Sequence, residues 1–247
     1  MSAERFFVEG VARPGEEREL APDDARKAAV VLRKRAGDGL EIVDSGGTLF
    51  AARIVRVTAY AVVVRLEAER AAAREPRVEL TLLQGVPKGA KMDFVVEKAT
   101  ELGVARIVPL VTQRVQGDAA SAAKVERWRR LAKAASQQCG RRTIAAIDEP
   151  RRLADALSAT DVPGYDAVLV AWEVAERVPL RDRLPALLEG RSRVAVAVGP
   201  EGGFARDEVT AALAAGATAI SLGERILRTE TAGLVLCAAI RYATGEL

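Results

Sequence analysis

The spacing of apolar residues changes character once along this chain. Up to about residue 70 it falls into short β-prone runs at 40–43, 49–57 and 61–66, and Asp44-Ser45-Gly46-Gly47 between the first two is a hairpin turn signal. These runs predict a small β domain, packed most simply as a closed or half-closed barrel. Residues 67–77, rich in alanine and arginine and ending near Pro76, read as a linker, although alanine also suits helix.

From residue 78 onward strands alternate with helices, the signature of an α/β layer architecture. Strands are expected at 78–83, 107–111, 167–171, 194–198 and 217–222. A helix over 91–102 would bury Phe94, Val95, Ala99 and Leu102 and close at Gly103. Ser121 can cap a helix that places Val125, Trp128, Leu131 and Ala135 on one face and ends at Gly140; Trp128 on that stripe is expected in the core. Further helices are expected over 207–215 and 229–243. The expected division is a β domain over residues 1–72 and an α/β domain over 73–247.

Composition narrows the chemistry. The chain has 247 residues, 49% of them hydrophobic, enough for one large domain or two unequal ones. Its two cysteines, Cys139 and Cys237, form no CxxC pair, which suits reduced thiols; no apolar run approaches the roughly 20 residues needed to span a bilayer, and no signal peptide precedes Phe6. The expected location is the cytoplasm. With no histidine at all, the chain lacks the usual general base and the commonest metal ligand, so histidine triads are excluded and no metal is expected.

The net charge of +3 says little, but its distribution says more. Arg26, Lys27, Arg33, Lys34 and Arg35 lie between Asp24 and Asp38 with no acid among them, and Arg127, Arg129, Arg130 and Lys133 continue to Arg141 and Arg142. Such clusters suit phosphate contacts; the alternative is a solvated face.

Two loops carry the sharper signal. Gly199-Pro200-Glu201-Gly202-Gly203 follows the apolar run 194–198, and a stretch from Gly223 to Ala232 follows the run 219–222, so both read as loops at the carboxyl ends of strands. The first is not a GxGxxG fingerprint: Pro200 lacks an amide donor, and Glu201 sets negative charge where a pyrophosphate would lie. It fits a nucleoside bearing positive charge better, such as S-adenosylmethionine. The simpler alternative is a plain turn with Glu201 in solvent. In the second loop Arg225 and Arg228 flank Ile226 and Leu227, as an adenine pocket beside a phosphate site would need, and Thr229-Glu230-Thr231 stands where a helix should start. There a threonine could serve as a cap, and Glu230 could sit favourably near the helix dipole.

Taken in order, Arg5-Phe6-Phe7, Val31-Leu32-Arg33, the segments 88–93 and 98–104, Glu126-Arg127-Trp128, the segment 137–141, the loop 199–203, Leu222-Gly223 and the segment 226–232 resemble the RsmE-type 16S rRNA uridine-N3 methyltransferases of the SPOUT class. The resemblance spans nearly the whole chain. It implies an N-terminal PUA-like β-barrel for RNA, a C-terminal α/β domain with a trefoil knot, an exception to the rule that connections do not thread, and a homodimer whose active site draws on both subunits. S-adenosylmethionine would be held bent by three loops, through Val170, Trp172, Val198, Gly199, Glu201, Gly203, Leu222, Gly223, Ile226 and Leu227. The RNA would be met by Arg5, Arg26, Lys27, Arg33, Lys88, Lys98 and Arg141. The implied substrate is 16S rRNA within the small ribosomal subunit and the product N3-methyluridine in its decoding region, with no metal. Two departures stand out: Arg26 and Lys27 replace a usual histidine pair, and Ala171-Trp172-Glu173 stands where relatives often have histidine-proline.

Uridine N3 must lose or share its proton before it attacks a methyl group, which makes Glu230 the candidate base and Arg228 the group that stabilises negative charge or anchors a phosphate. Pairing of Glu230 with an arginine is the structural alternative. The cofactor loops do not encode the acceptor atom, so another base, a ribose 2′-oxygen, or a non-catalytic RNA-binding dimer stay open at this point.

Overall fold

A computed structural model describes residues 4–58, 61–71, 74–114, 120–158, 164–175 and 178–247. It divides into two compact units, Met1–Glu75 with Ser136–Thr143, and Pro76–Ala135 with Ile144–Leu247. The expected boundary between residues 72 and 73 lies outside the described residues.

The first unit is built on a five-stranded mixed sheet with strand order β1-β3-β4-β5-β2, where β1 is Arg5–Phe7, β2 Glu17–Glu19, β3 Gly39–Val43, β4 Leu49–Val57 and β5 Val62–Glu69. β1 runs parallel to β3 and the remaining pairs are antiparallel. Two register shifts in the β4–β5 pair, at Ala51/Ala52 and Ile54/Arg56, mark irregularities of the kind that increase local twist. The curled sheet encloses Phe6, Ile42, Phe50, Ile54, Val64 and Leu66. The predicted turn is held by Asp44: its Oδ1 accepts from the amides of Gly46 and Thr48, each at 2.9 Å. Between β2 and β3 the chain forms a short helix, α1 (Pro22–Arg26), that runs on into a π-helical turn over Lys27–Val31.

The second unit is an α/β layer structure. Its six strands are β6 (Glu79–Gly85), β7 (Arg106–Leu110), β8 (Ala146–Ile147), β9 (Ala167–Ala171), β10 (Arg193–Val198) and β11 (Thr218–Ile220), in spatial order β11-β9-β10-β6-β7-β8 and all parallel. The interleaved helices are α2 (Lys91–Glu101), α3 (Ala122–Cys139), α4 (Leu153–Ser158), α5 (Leu180–Leu188), α6 (Arg206–Ala214) and α7 (Thr229–Ala243). Because side chains alternate along a strand, Leu80, Leu82, Val194, Val196 and Val198 pack into one core with Val95, Trp128, Leu184 and Leu236 from α2, α3, α5 and α7. Leu83, Val108, Val170, Ala195 and Ala197 face the other way, onto Leu153 and Val209 of α4 and α6.

The helix α2 departs from its expected face. Met92, Val95, Val96 and Ala99 are buried whereas Phe94 is 49% exposed. The buried set has the i, i+3, i+4, i+7 spacing, and Phe94, two residues from Met92, falls on the opposite side of the helix.

Arg241 closes the second unit. Fully buried, it donates to the carbonyls of Val78 and Gly103, each at 2.7 Å, and pairs with Glu246 at 2.9 Å. Burial alone would raise the Glu246 carboxyl, but the amides of Arg77 and Val78, the Thr244 hydroxyl and Arg241 outweigh it and hold the group below its ordinary value of 4.5. A depressed carboxyl contributes stability above its unfolded-state value and loses that contribution as pH falls through the folded one. The parent is therefore expected to lose stability progressively below about pH 4.5, and Glu246→Gln to lose less over the same range. Equal slopes in urea-unfolding free energy against pH would remove Glu246 from the acid response.

Candidate active site at the carboxyl edge of the parallel sheet

Six strands running one way bring every strand-to-helix loop of the second unit to a single edge. The strand order reverses between β10 and β6, and ligands of open α/β sheets gather at such a switch point. The register aligns the ends that matter: Val198 lies opposite both Gln84 and Ala171, and Ala171 lies opposite Ile220. From the ends of β6, β9, β10 and β11 leave the segments 86–90, 172–175, 199–205 and 221–228.

Two of the loops pack without room for an extra atom. A Cβ on Gly85 would stand 2.4 Å from the amide nitrogen of Pro200, and one on Gly199 would stand 2.8 Å from the backbone of Gly203 and Phe204. Beneath them, the fully buried Gln84 donates through Nε2 to the carbonyl of Gly85 at 3.0 Å and to Thr229 Oγ1 at 2.8 Å. Thr229 Oγ1 in turn donates to the carbonyl of Gly199 at 2.6 Å. This relay joins the end of β6, the first residue of α7 and the start of the 199–205 loop. It also fixes the amide of Gln84, since a flipped side chain would set its oxygen against the Gly85 carbonyl.

The charged groups fall into two sets. Glu201 accepts from the Lys88 amide at 3.1 Å and from Lys91 Nζ at 2.9 Å. Burial pushes the Glu201 carboxyl up, but the Lys91 hydrogen bond, the backbone amides and the Lys91 charge prevail and lower it. Lys91 Nζ also stands 3.6 Å from Glu230 Oε2. That oxygen is buried and has no hydrogen-bond partner among the described residues. It is thus an acceptor whose hydrogen-bonding capacity the described residues leave unused. The second set is open: Arg225 and Arg228 are exposed, and Arg228 makes no side-chain hydrogen bond or ion pair among the described residues. Arg228 is the N-cap residue of α7, with extended backbone, and Glu230 sits in the first helical turn, where negative charge is favoured.

The RNA methyltransferase domain family matches residues 74–241. Ribosomal RNA small subunit methyltransferase E of Mycobacterium tuberculosis is 30% identical, with 100% of this chain and 94% of the relative covered. The protein of the same name from Synechocystis is 31% identical over 85% of this chain and 68% of its own length. The chain belongs to the ribosomal RNA small subunit methyltransferase E family. Among solved structures, a methyltransferase E from Neisseria gonorrhoeae bound to S-adenosyl methionine superposes with a TM-score of 0.86 at 27% identity, covering 98% of both chains. A Legionella pneumophila structure, solved as a methyltransferase in complex with the cofactor SAM, gives 0.89 at 31% identity, again over 98% of each.

In this methyltransferase E family member most of the expected cofactor set does meet at the edge. Trp172, Val198, Gly199, Glu201, Gly203, Leu222, Gly223, Ile226 and Leu227 stand in or beside the three loops after β9, β10 and β11. Val170 is the exception, its side chain buried in the sheet core facing α4 and α6. Gly223, at φ +104°, adopts a conformation that other residues rarely do. Leu227 packs onto the core while Ile226 is 93% exposed, so the two apolar residues do not form one surface.

The expected RNA set divides. In the first unit Arg5 bonds Glu41 at 2.7 Å and the carbonyl of Gly140, and Arg141 is buried against Glu75 at 3.0 Å. Lys27 donates to Gln137 Oε1 at 2.8 Å and lies over the Phe6 ring. Arg26 and Arg33 are exposed. In the second unit Lys98 is tied to Glu97 and Glu101, which raise its pKa, whereas Lys88 is exposed.

Sequence reasoning gave no role to Gln84, Gly85 or Lys91, and treated Thr229 only as a possible cap. Lys91 alone carried a usable signal: it opens an amphipathic helix just after a strand end, at the same edge as the two glycine-bearing loops. Among the described residues there is no cluster of three or more metal-ligating side chains, and no helix is long and apolar enough to cross a membrane.

Gly85→Ala must displace the backbone of Pro200, and overpacking of this kind costs roughly 1–3 kcal/mol. Urea unfolding of this variant is expected to show that loss; an unchanged midpoint would mean the two loops can part without cost.

Proposed function

We propose that this chain uses S-adenosylmethionine to methylate N3 of a uridine in 16S rRNA, with the small ribosomal subunit as substrate. Family membership supports the reaction class, and the SAM-bound relatives from Neisseria gonorrhoeae and Legionella pneumophila support the cofactor. The observation that carries the acceptor atom is the buried Oε2 of Glu230 at the ligand edge, which accepts no hydrogen bond among the described residues. Uracil N3 presents an N–H, and a carboxylate oxygen that accepts no hydrogen bond among the described residues is complementary to it.

In this reading the glycine-lined backbone of the 199–205 and 221–228 loops, with Trp172 and Leu227, holds the nucleoside end of the cofactor. S-adenosylmethionine supplies, when bound, an electrophilic methyl group on a cationic sulfur. Glu230 takes the N3 proton through Oε2, so that the uracil can present a nitrogen lone pair. Arg228, exposed and without a side-chain partner among the described residues, meets either the negative charge that gathers on the uracil oxygens or the flanking phosphate. Placing both reactants on one rigid sheet edge supplies the remaining advantage, since holding groups in reacting geometry replaces a bimolecular encounter.

The architecture proposed with it is a PUA-like RNA-binding domain over residues 1–72 and a SPOUT domain over 73–247. The connection from β10 must pass β9 to reach β11, a path compatible with a trefoil knot. Arg26 and Arg33 in the first unit and Lys88 in the second are the cations best placed for phosphate, being exposed. Arg5, Lys27, Lys98 and Arg141 would have to exchange existing partners to join them. The working form is proposed as a cytoplasmic homodimer, without a metal.

Incubation with methyl-labelled S-adenosylmethionine and unmodified small subunits, followed by nucleoside mass spectrometry, is expected to place the label in N3-methyluridine. Label in a 2′-O-methylated ribose or in another base would refute the acceptor assignment. Glu230→Gln is expected to lower the single-turnover rate by about 10²–10⁴ while cofactor binding persists; full rate at every pH would remove Glu230 as the base. Arg228→Ala should likewise bind cofactor and lose transfer.

A further inference from the structure

Glu201 and Glu230 belong to different loops, yet they share one cation. Lys91 Nζ donates to Glu201 at 2.9 Å and stands 3.6 Å from the buried oxygen of Glu230, too far for a good hydrogen bond but close enough for charge to act. On the other side of Glu201 the Lys88 amide completes the hold, so the carboxylate straps the 199–205 loop to the first turn of α2. Glu201 is already committed to two donors of its own chain, an arrangement that suits a brace better than a ligand for a cationic cofactor. The hydrogen bond that Lys91 donates to Glu201 is the main reason the Lys91 pKa is raised; the lysine therefore stays charged at neutral pH and is not itself the proton acceptor.

Glu230 has the opposite problem. Its Oε2 is out of solvent, accepts no hydrogen bond, and has Lys91 as its one ion-pair partner among the described residues. A buried carboxylate oxygen with neither hydrogen bond nor counter-charge takes up a proton or turns out toward water, and either change removes a base aimed at the uracil.

We infer that Lys91 is a positioning residue for methyl transfer, bracing the 199–205 loop through Glu201 while presenting a positive charge to Glu230, so that one side chain links cofactor binding to the readiness of the proton acceptor. The inference rests on the proposed roles of S-adenosylmethionine and Glu230. It separates two effects of one lysine: the bond to Glu201 governs affinity for the cofactor, and the charge facing Glu230 governs turnover.

The test is a double-mutant cycle read in two ways, by calorimetry for S-adenosylmethionine affinity and by kcat at saturating cofactor with small ribosomal subunits as acceptor. Lys91→Met is expected to weaken affinity by about three- to fivefold, the scale of a half-exposed ion pair, and to lower kcat by about fivefold. In a Glu201→Gln background the same substitution should cost no further affinity but the same factor in kcat. Lys91→Arg, which keeps the charge, should restore both within about twofold. The inference is overturned if Lys91→Met leaves kcat unchanged, if its affinity loss persists undiminished without Glu201, or if arginine fails where methionine fails. A parent protein that binds no S-adenosylmethionine, or transfers methyl without needing Glu230, would strike instead at the proposed function and take this inference with it.

Discussion

The hydrogen-bond relay from Gln84 through the Thr229 hydroxyl to the carbonyl of Gly199 sets the geometry on which the site depends. Gln84 is the penultimate residue of a central strand, Thr229 begins the last helix, and Gly199 opens the loop after β10. Both hydrogens of one amide and the single hydrogen of one hydroxyl are used, which leaves the relay one arrangement and not several. Glu230 follows Thr229 directly, so the position of the candidate base is inherited from the relay. Around it the absence of side chains at Gly85 and Gly199 lets backbone meet backbone, and the parallel register of β6, β9 and β10 keeps the loop origins level.

Charge is distributed on that frame in two ways. Inside the edge, two carboxylates and one lysine make a compact group in which one acid is fully engaged and the other is not. Outside it, Arg225 and Arg228 project without carboxylate partners among the described residues. An engaged acid contributes to shape, whereas an acid without a donor and a cation without an anion are groups waiting for a ligand. The same distinction divides the basic residues elsewhere. Arg5 and Arg141 have found Glu41 and Glu75 within their own unit, while Arg26 and Arg33 have no carboxylate partner among the described residues.

Much of the second unit was legible in its apolar periodicity. The strand 167–171 and the helix 229–243 have the bounds expected of them, and so does β4 in the first unit, because a long apolar run or a sustained helical stripe carries its own evidence. Strands of three residues such as β1 and β2 give no period to read, and α5 was hidden by Pro185 within it. The loops of the site were legible from glycine, proline and charge at strand ends. Their internal bonds were not. Lys91 and Glu201 are 110 residues apart, and Arg5 and Glu41 are 36 apart. Whether a cation is free for a phosphate or spent on a carboxylate is decided by which strands become neighbours, and local spacing is silent on that.

The relay closes over 145 residues of chain between Gln84 and Thr229. A contact of such long range carries the entropic cost of closing the intervening chain. No fragment holding only one of these loops has a binding edge, however well ordered, since each loop supplies a wall and none supplies the enclosure. Occupancy of the site is consequently a report on the completed sheet: a ligand that needs all of its walls binds the folded protein and not the unfolded chain, and its binding energy is added to the stability of the whole fold.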